Sequence, residues 1–271
     1  MKTVLSIAGS DCSGGAGIQA DLKTCSAHGV FGMSVIVSVV AENTSRVIDI
    51  QNITPDIIAK QIDAIFEDIT VNAVKVGMLS DTDCMKVVAS KLKEYKPEHI
   101  VIDPVMYAKN GCALMQPNAI GTLIENVIPI ATLLTPNIPE AEIITKTKIN
   151  SEQDMKNAAV KICTMGCRNV LIKGGHYIGN AVDILFDGKE FYRFETHRIN
   201  TKNTHGTGCT LSSAIASNLA IGYDTYTAVK KAKNYVTTAI EHALNLGQGC
   251  GPTNHFYELY KKGGLLDETE N

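Results

Sequence analysis

The chain lacks any long hydrophobic run. Its longest apolar stretches, Met33 to Ala41 and Val127 to Leu134, fall far short of the roughly 20 residues a membrane-spanning helix needs, which argues against a membrane partner. The segment MKTVLSIAGSDCSGG has one Lys and too brief an apolar run for a secretory h-region, so a cytoplasmic protein is expected. Neither sign of charge dominates: 25 Lys+Arg face 28 Asp+Glu, a formal net charge of −3. With no long basic run, a nucleic-acid partner held by bulk charge is excluded. The eight cysteines (Cys12, Cys25, Cys84, Cys112, Cys163, Cys167, Cys209 and Cys250) form no CxxC pair and have no companion His at zinc-finger spacing, so they read as reduced thiols. No repeat, low-complexity tract or polar linker divides the chain; one domain is expected over residues 1–262, with a frayed tail at 263–271. A Walker A sequence is also missing, so a bound nucleotide would be held by other elements. A small-molecule partner remains.

What is present is a regular alternation. Thr3–Ala8, Met33–Ala41, Ala73–Val76, His99–Asp103, Ala131–Thr135 and Asn169–Lys173 read as strands, with helix-period segments between them. Runs such as VIVSVVA and VLIK are almost wholly apolar, as happens where helices cover both faces of a parallel sheet. Later, Asp187-Gly188 sits between two strand-like runs, which predicts a hairpin at the sheet edge. Two helices then close the chain.

Two glycine-rich segments stand at helix starts. The first, AGSDCSGGAGIQADLKT (residues 8–24), follows the first strand, where open α/β sheets bind ligands. It contains Gly15-Ala16-Gly17-Ile18-Gln19-Ala20, a match to G-x-G-x-x-A, with Glu42 as a candidate ribose-binding acid. That reading makes the protein a nicotinamide-dependent oxidoreductase. Against it, residues 9–14 separate strand and motif, and Asp11 would set a carboxylate beside a pyrophosphate. The glycines equally permit a tight strand-to-helix turn and nothing more. The second segment, NTHGTGCTLSSAIASNL (residues 203–219), puts Gly206-Thr207-Gly208-Cys209 before a helix. Unpaired N–H groups and the helix dipole make such an end an anion site. Cys209 there is expected either to have a lowered thiol pKa, as a base or nucleophile, or to be a small buried residue.

Taken together, AGSDCSGGAGIQADLKT, VKVGML, DPVM, the TPN-x-x-E segment, KGGH and THGTGCTLSSAIA run in unbroken order between about residue 3 and residue 245. They resemble the hydroxymethylpyrimidine/phosphomethylpyrimidine kinases of thiamine synthesis, within the ribokinase-like superfamily that also holds pyridoxal kinases. The resemblance implies a single ribokinase-like α/β domain, a mostly parallel central sheet with helices on both faces and an edge hairpin, usually as a homodimer. It implies ATP and Mg2+ along the C-terminal rim of the sheet, with Asp103 and Glu140 toward the metal and Asn137, Lys173, His176 and Thr204 toward the nucleotide. Cys209 would take the substrate's hydroxyl proton or lie beside it, while Gly206, Thr207 and Gly208 stabilise the transferring phosphoryl group. Gly9, Asp11, Ala16, Asp21, Val40, Glu42, Met78 and Val105 would contact the pyrimidine. Such enzymes phosphorylate 4-amino-5-hydroxymethyl-2-methylpyrimidine and then its monophosphate. The alternatives are a pyridoxal/pyridoxine kinase and a non-catalytic binder of the same precursors.

Three positions depart from the family's usual residues: Cys12 and Asn110 stand where Ser is common, and Glu42 where Gln is common. A Gln amide can donate and accept against an aminopyrimidine edge, whereas a carboxylate only accepts. Either Glu42 or the ring must then carry a proton.

Overall fold

In the computed structural model, which describes residues 1–108, 111–175 and 180–266, the alternation becomes one nine-stranded sheet. The strands are β1 (Thr3–Asp11), β2 (Phe31–Glu42), β3 (Val47–Asn52), β4 (Ala73–Val76), β5 (Ile100–Ile102), β6 (Leu133–Leu134), β7 (Asn169–Lys173), β8 (Ala181–Phe186) and β9 (Phe191–Thr196). Their spatial order is β3-β2-β1-β4-β5-β6-β7-β8-β9. Strands β2, β1 and β4 to β7 are mutually parallel, while β3 and the β8–β9 hairpin form antiparallel edges. The helices are α1 (Gly17–Ala27), α2 (Pro55–Phe66), α3 (Thr82–Tyr95), α4 (Ala119–Thr122), α5 (Ile138–Thr145), α6 (Glu152–Cys163), α7 (Thr207–Ile221), α8 (Thr225–Glu241) and α9 (Tyr257–Lys262).

Both faces of the sheet are covered, and the strands show it residue by residue. Leu5, Val74, Ile100, Leu134 and Val170 pack on one face with α2, α3, α5 and α6. Their neighbours Val4, Ala73, Val101, Leu133 and Leu171 pack on the other with α1, α7 and α8, the period of two that a strand imposes. The hairpin at Asp187-Gly188 lies at the edge, as its turn residues predict. Strand β3 has no counterpart in the sequence reading. Its side chains are mostly solvent-facing, Ile48 being 62% exposed, so no buried periodicity marks it, and pairing with β2 alone makes it a strand. α9 adds a third helix to the two expected at the end. Among the described residues no helix is long and apolar enough to cross a membrane.

This winding fixes where a ligand can enter. β2 and β4 flank β1 on opposite sides, so the strand order reverses there, and the carboxyl ends of β1 and its neighbours open a crevice.

Candidate active site

The crevice is a cleft of about 780 Å3, and the start of α7 forms its floor at one end. Gly206 caps α7 with φ +79°, and a Cβ at that position would overlap the Gly15 carbonyl oxygen. Glycine is required for this turn and for this approach to the β1–α1 loop. The Thr207 N–H turns back to Thr204 O at 3.3 Å, and the Thr210 N–H to Gly206 O at 2.8 Å. Helix geometry leaves the N–H groups of Gly208 and Cys209 with no carbonyl one turn back. An ion pair lies beside this turn: a Cβ on Gly208 would lie 3.0 Å from Asp103 Oδ2 and 3.5 Å from Lys173 Nζ.

Lys173 ends β7 and Asp103 follows β5, and their side chains meet at 2.6 Å between Nζ and Oδ1. The Thr135 hydroxyl donates to the same Asp103 oxygen at 3.3 Å. Next to them, Asn137 caps α5: the Glu140 N–H donates to Asn137 Oδ1 at 2.9 Å, and the Asn137 N–H to Glu140 Oε2 at 2.8 Å, a reciprocal capping box. The N-x-x-E spacing is therefore helix-start chemistry, which also holds the Glu140 carboxylate against the cleft. Burial, with the Asp103 charge adding to it and the Lys173 ammonium opposing it, pushes the Glu140 carboxyl up to about 7. Burial works against the Lys173 charge too, yet Asp103 and Glu140 hold its pKa above the ordinary value. Two buried carboxylates sharing an ammonium suit a hydrated divalent cation.

Cys209 is half-buried at the same helix start. The lowered thiol pKa expected there is corrected: burial pushes it up to about 11, outweighing the pull of the Lys75 ammonium. Desolvation of a thiolate exceeds what the helix end supplies. Thr204 lines the cleft beside this turn. His176, Lys109 and Asn110 lie outside the described residues.

At the other end Gly9, Ala16, Val40, Glu42, Met78 and Val105 are brought together along the wall. A Cβ on Gly9 would stand 3.1 Å from Met78 Sδ and 3.8 Å from Val40 Cγ2, so the missing side chain keeps a flat apolar slot open. Of the two remaining expected ring contacts, one lines the cleft and one is corrected. Asp11 lines the cleft, but its oxygens are taken: Oδ1 accepts from Ser13 N–H at 2.7 Å, and Oδ2 from Gly15 N–H at 3.1 Å, Ala16 N–H at 2.7 Å and His205 Nε2 at 2.8 Å. It organises the loop. Asp21 is fully buried beneath the site, where Lys75 Nζ lies 2.8 Å away and the Ser6 and Ser213 hydroxyls donate to it. The Asp11 geometry also removes the dinucleotide reading, because the loop N–H groups that would hold a pyrophosphate already hold a carboxylate.

Three polar residues of the site escaped the sequence reading. His205 immediately precedes the Gly-Thr-Gly turn and pairs with Asp11. Lys75 interrupts an apolar strand, and Lys233 shares the buried stripe of α8 with Val229 and Val236. Lys233 meets Asp183 at 2.5 Å, and Asp183 accepts the Gly174 N–H at 2.9 Å, so the residue that follows Lys173 is tied to the hairpin and α8. A charge inside a helical or strand apolar stripe was the available signal.

A family model described as phosphomethylpyrimidine kinase matches residues 11–254. The chain belongs to the phosphomethylpyrimidine kinase family. It is 46% identical over 263 residues to the hydroxymethylpyrimidine/phosphomethylpyrimidine kinase of Bacillus subtilis, covering 96% of each chain. It is 50% identical over 254 residues to the thiamine biosynthesis bifunctional protein ThiED of Geobacter sulfurreducens, covering 93% of this chain and spanning about half, 52%, of that longer protein. Among solved structures, phosphomethylpyrimidine kinase from Clostridium difficile 630 matches with a TM-score of 0.81 at 48% identity, over 89% of this chain and 100% of that one. The ADP complex of Bacillus subtilis pyridoxal kinase matches with a TM-score of 0.89 at 38% identity, over 96% and 99%. The fold is thus that of the ribokinase-like vitamin kinases, and the protein is a phosphotransferase of thiamine biosynthesis.

Proposed function

We propose that the protein transfers the γ-phosphoryl group of ATP, with Mg2+, to the hydroxymethyl group of 4-amino-5-hydroxymethyl-2-methylpyrimidine, and then to the phosphate of the rebound monophosphate. The observation that carries this reading is the two-ended cleft: a helix start facing Lys173, Asp103 and Glu140 at one end, and Glu42 over an apolar slot at the other. The substrate is supported by the relatives that carry this activity in their name, and the nucleotide by the ADP complex of a structural relative.

Each residue then has a task. Asp103 and Glu140 would hold the Mg2+, which supplies charge neutralisation along the phosphates when bound. Lys173 adds a fixed ammonium on the same side, and the Gly208 and Cys209 N–H groups receive the charge that develops on the transferring phosphoryl oxygens. Phosphoryl transfer asks chiefly for positioning, with little demand on a base. A Cys209 thiol held near 11 is protonated at neutral pH, so it positions the hydroxyl instead of serving as a resting thiolate. Gly9, Val40, Met78 and Val105 hold the ring flat, and Thr204 borders the nucleotide. The family resemblance further supports a cytoplasmic homodimer, for which Phe31, Val39 and Ile48 offer exposed apolar side chains on the β2–β3 ribbon.

A coupled ADP-release assay with ATP and Mg2+ tests the proposal against both pyrimidines and pyridoxal. Turnover of both pyrimidines is expected. Turnover of pyridoxal alone would move the protein to that branch of the fold, which the higher TM-score favours and the lower identity disfavours. Silence on all three would overturn the kinase assignment.

A further inference from the structure

Glu42 ends β2 at the point where the main cleft meets a smaller adjoining cavity of about 280 Å3, and both spaces are lined by Glu42 and His205. A carboxylate oxygen of Asp11, one of Glu42 and a ring nitrogen of His205 lie within 4.8 Å of one another. The trio is poorly suited to a cation, because Asp11 already accepts four hydrogen bonds. Glu42 differs from Asp11. Its backbone N–H and carbonyl are engaged with the Cys12 thiol, but among the described residues its carboxylate takes no hydrogen bond from the protein. It is a half-buried acceptor aimed into a ligand cavity.

The charged and titratable groups around it come from three directions. Asp11 faces it from the end of β1, His205 from the loop before α7, and the Cys12 thiol from the β1–α1 loop; Cys250 lies across the smaller cavity. Lys23 of α1 is turned away to the Gly14 carbonyl at 2.7 Å. Consider an amidine edge, an exocyclic amine beside a ring nitrogen. The amine donates to one Glu42 oxygen, and the ring nitrogen then confronts the other oxygen, acceptor against acceptor. A proton between them turns that repulsion into a second hydrogen bond.

We propose that the protein binds its ring through an amidine edge with one proton shared between the ring nitrogen and the Glu42 carboxyl, and that His205, held by Asp11, is the positioning residue that sets how tightly this proton is kept. The proton comes from solvent when ring and carboxylate both start unprotonated, and it returns there on release. Burial, the Asp11 charge adding and His205 opposing, pushes the Glu42 carboxyl up to about 7, so the site accepts that proton readily at neutral pH. A pyridoxal-type ring offers no amine next to a ring nitrogen and gains nothing from it, which makes Glu42 a discriminator between the two vitamin precursors. This rests on the pyrimidine reading above.

Calorimetric titration of 4-amino-5-hydroxymethyl-2-methylpyrimidine into the protein at pH 8, in two buffers of different protonation enthalpy, counts the protons taken up. Wild type should take up about one proton per ring, and its Kd should rise about tenfold per pH unit above pH 7.5. Glu42→Gln should bind with no uptake and a flat profile, since an amide already donates and accepts. His205→Gln should retain uptake but move the break in the profile to higher pH, because Glu42 then faces the Asp11 charge alone, a shift that a purely structural role would not produce. Binding and turnover by wild type without proton uptake, or an unchanged slope in Glu42→Gln, would overturn the inference and leave the pyrimidine kinase standing. No pyrimidine binding by either protein would overturn both.

Discussion

Replacing Gly208 with Ala should separate catalysis from folding. Gly208 sits in the first turn of α7, and its φ is not among the positive ones, so Ala adopts the same backbone. The substitution gains up to about 1 kcal/mol of helix propensity. The new methyl would lie 3.0 Å from Asp103 Oδ2 and 3.5 Å from Lys173 Nζ. Both are ends of side chains that can give by a few tenths of an ångström, so folding survives. Catalysis should not, because that space lies between the helix-start donors and the ion pair, where the phosphoryl oxygens must approach to about 2.7–3.1 Å from the N–H groups. A displacement of about 1 Å costs on the order of 10²-fold, and loss of one donor about 10²- to 10³-fold. The expected result is a kcat lower by about 10² to 10³, with Tm unchanged or raised by up to about 4 °C. ADP release at saturating ATP and pyrimidine, beside thermal unfolding of the same sample, reads both. A folded Gly208→Ala enzyme with kcat close to wild type would refute the placement of the phosphoryl group between α7 and Lys173.

Three further outcomes follow from the same geometry. Cys209 should alkylate slowly with iodoacetamide at pH 7.5, well behind exposed Cys12, with a rate still rising toward pH 10; peptide mass spectrometry checks this, and a thiol titrating below pH 8 would restore the thiolate base. Lys75→Met strands the buried Asp21 carboxylate and should cost about 3–5 kcal/mol in urea unfolding, whereas pairing it with Asp21→Leu should recover much of the loss; equal losses would show that the pair is not what the site rests on. Burial works against the Asp11 charge, yet His205, Ser13 and Ala16 hold its carboxyl well below the usual range. A lowered folded-state pKa means stability that is full above the ordinary Asp value of about 3.9 and lost as pH falls beneath it. Asp11→Asn should therefore lose about 1.5–3 kcal/mol at pH 7 and show a shallower acid limb below pH 4, a comparison that pH-dependent chemical denaturation makes directly.

The residues that were legible in the sequence share a physical property. Apolar runs such as VLIK, the Asp187-Gly188 turn and the two glycine-rich helix starts are local signals, because periodicity and backbone conformation are decided within a few residues. Seven of the eight expected ring contacts do reach the cleft, Asp11 with its oxygens already engaged. What escaped depends on partners far along the chain. His205 is defined by Asp11, 194 residues away, and Asp21 by Lys75, 54 residues away. The thiol pKa of Cys209 failed for a related reason: a helix start is visible locally, but the desolvation that overrides it is supplied by the packed surroundings.

The two glycine-rich helix starts show how one chain gives similar sequences opposite electrostatic roles. Both place backbone N–H groups at the cleft, and both use a glycine with positive φ, Gly17 (+54°) at the start of α1 and Gly206 (+79°) at the cap of α7. Neither helix has a side-chain cap, but in the loop that leads into α1 the Gly15 and Ala16 N–H groups are taken by Asp11, whose carboxylate sits where an anion would. At α7 the nearest charges form the Lys173–Asp103 pair. A phosphate is repelled from the first and drawn to the second, which under the proposed function would set the substrate with its ring toward β1 and Glu42 and its hydroxymethyl, the phosphoryl acceptor, toward α7. Under the same proposal the second phosphorylation would bring the monophosphate back with its phosphate at the α7 end, in line with the donors that served the first transfer.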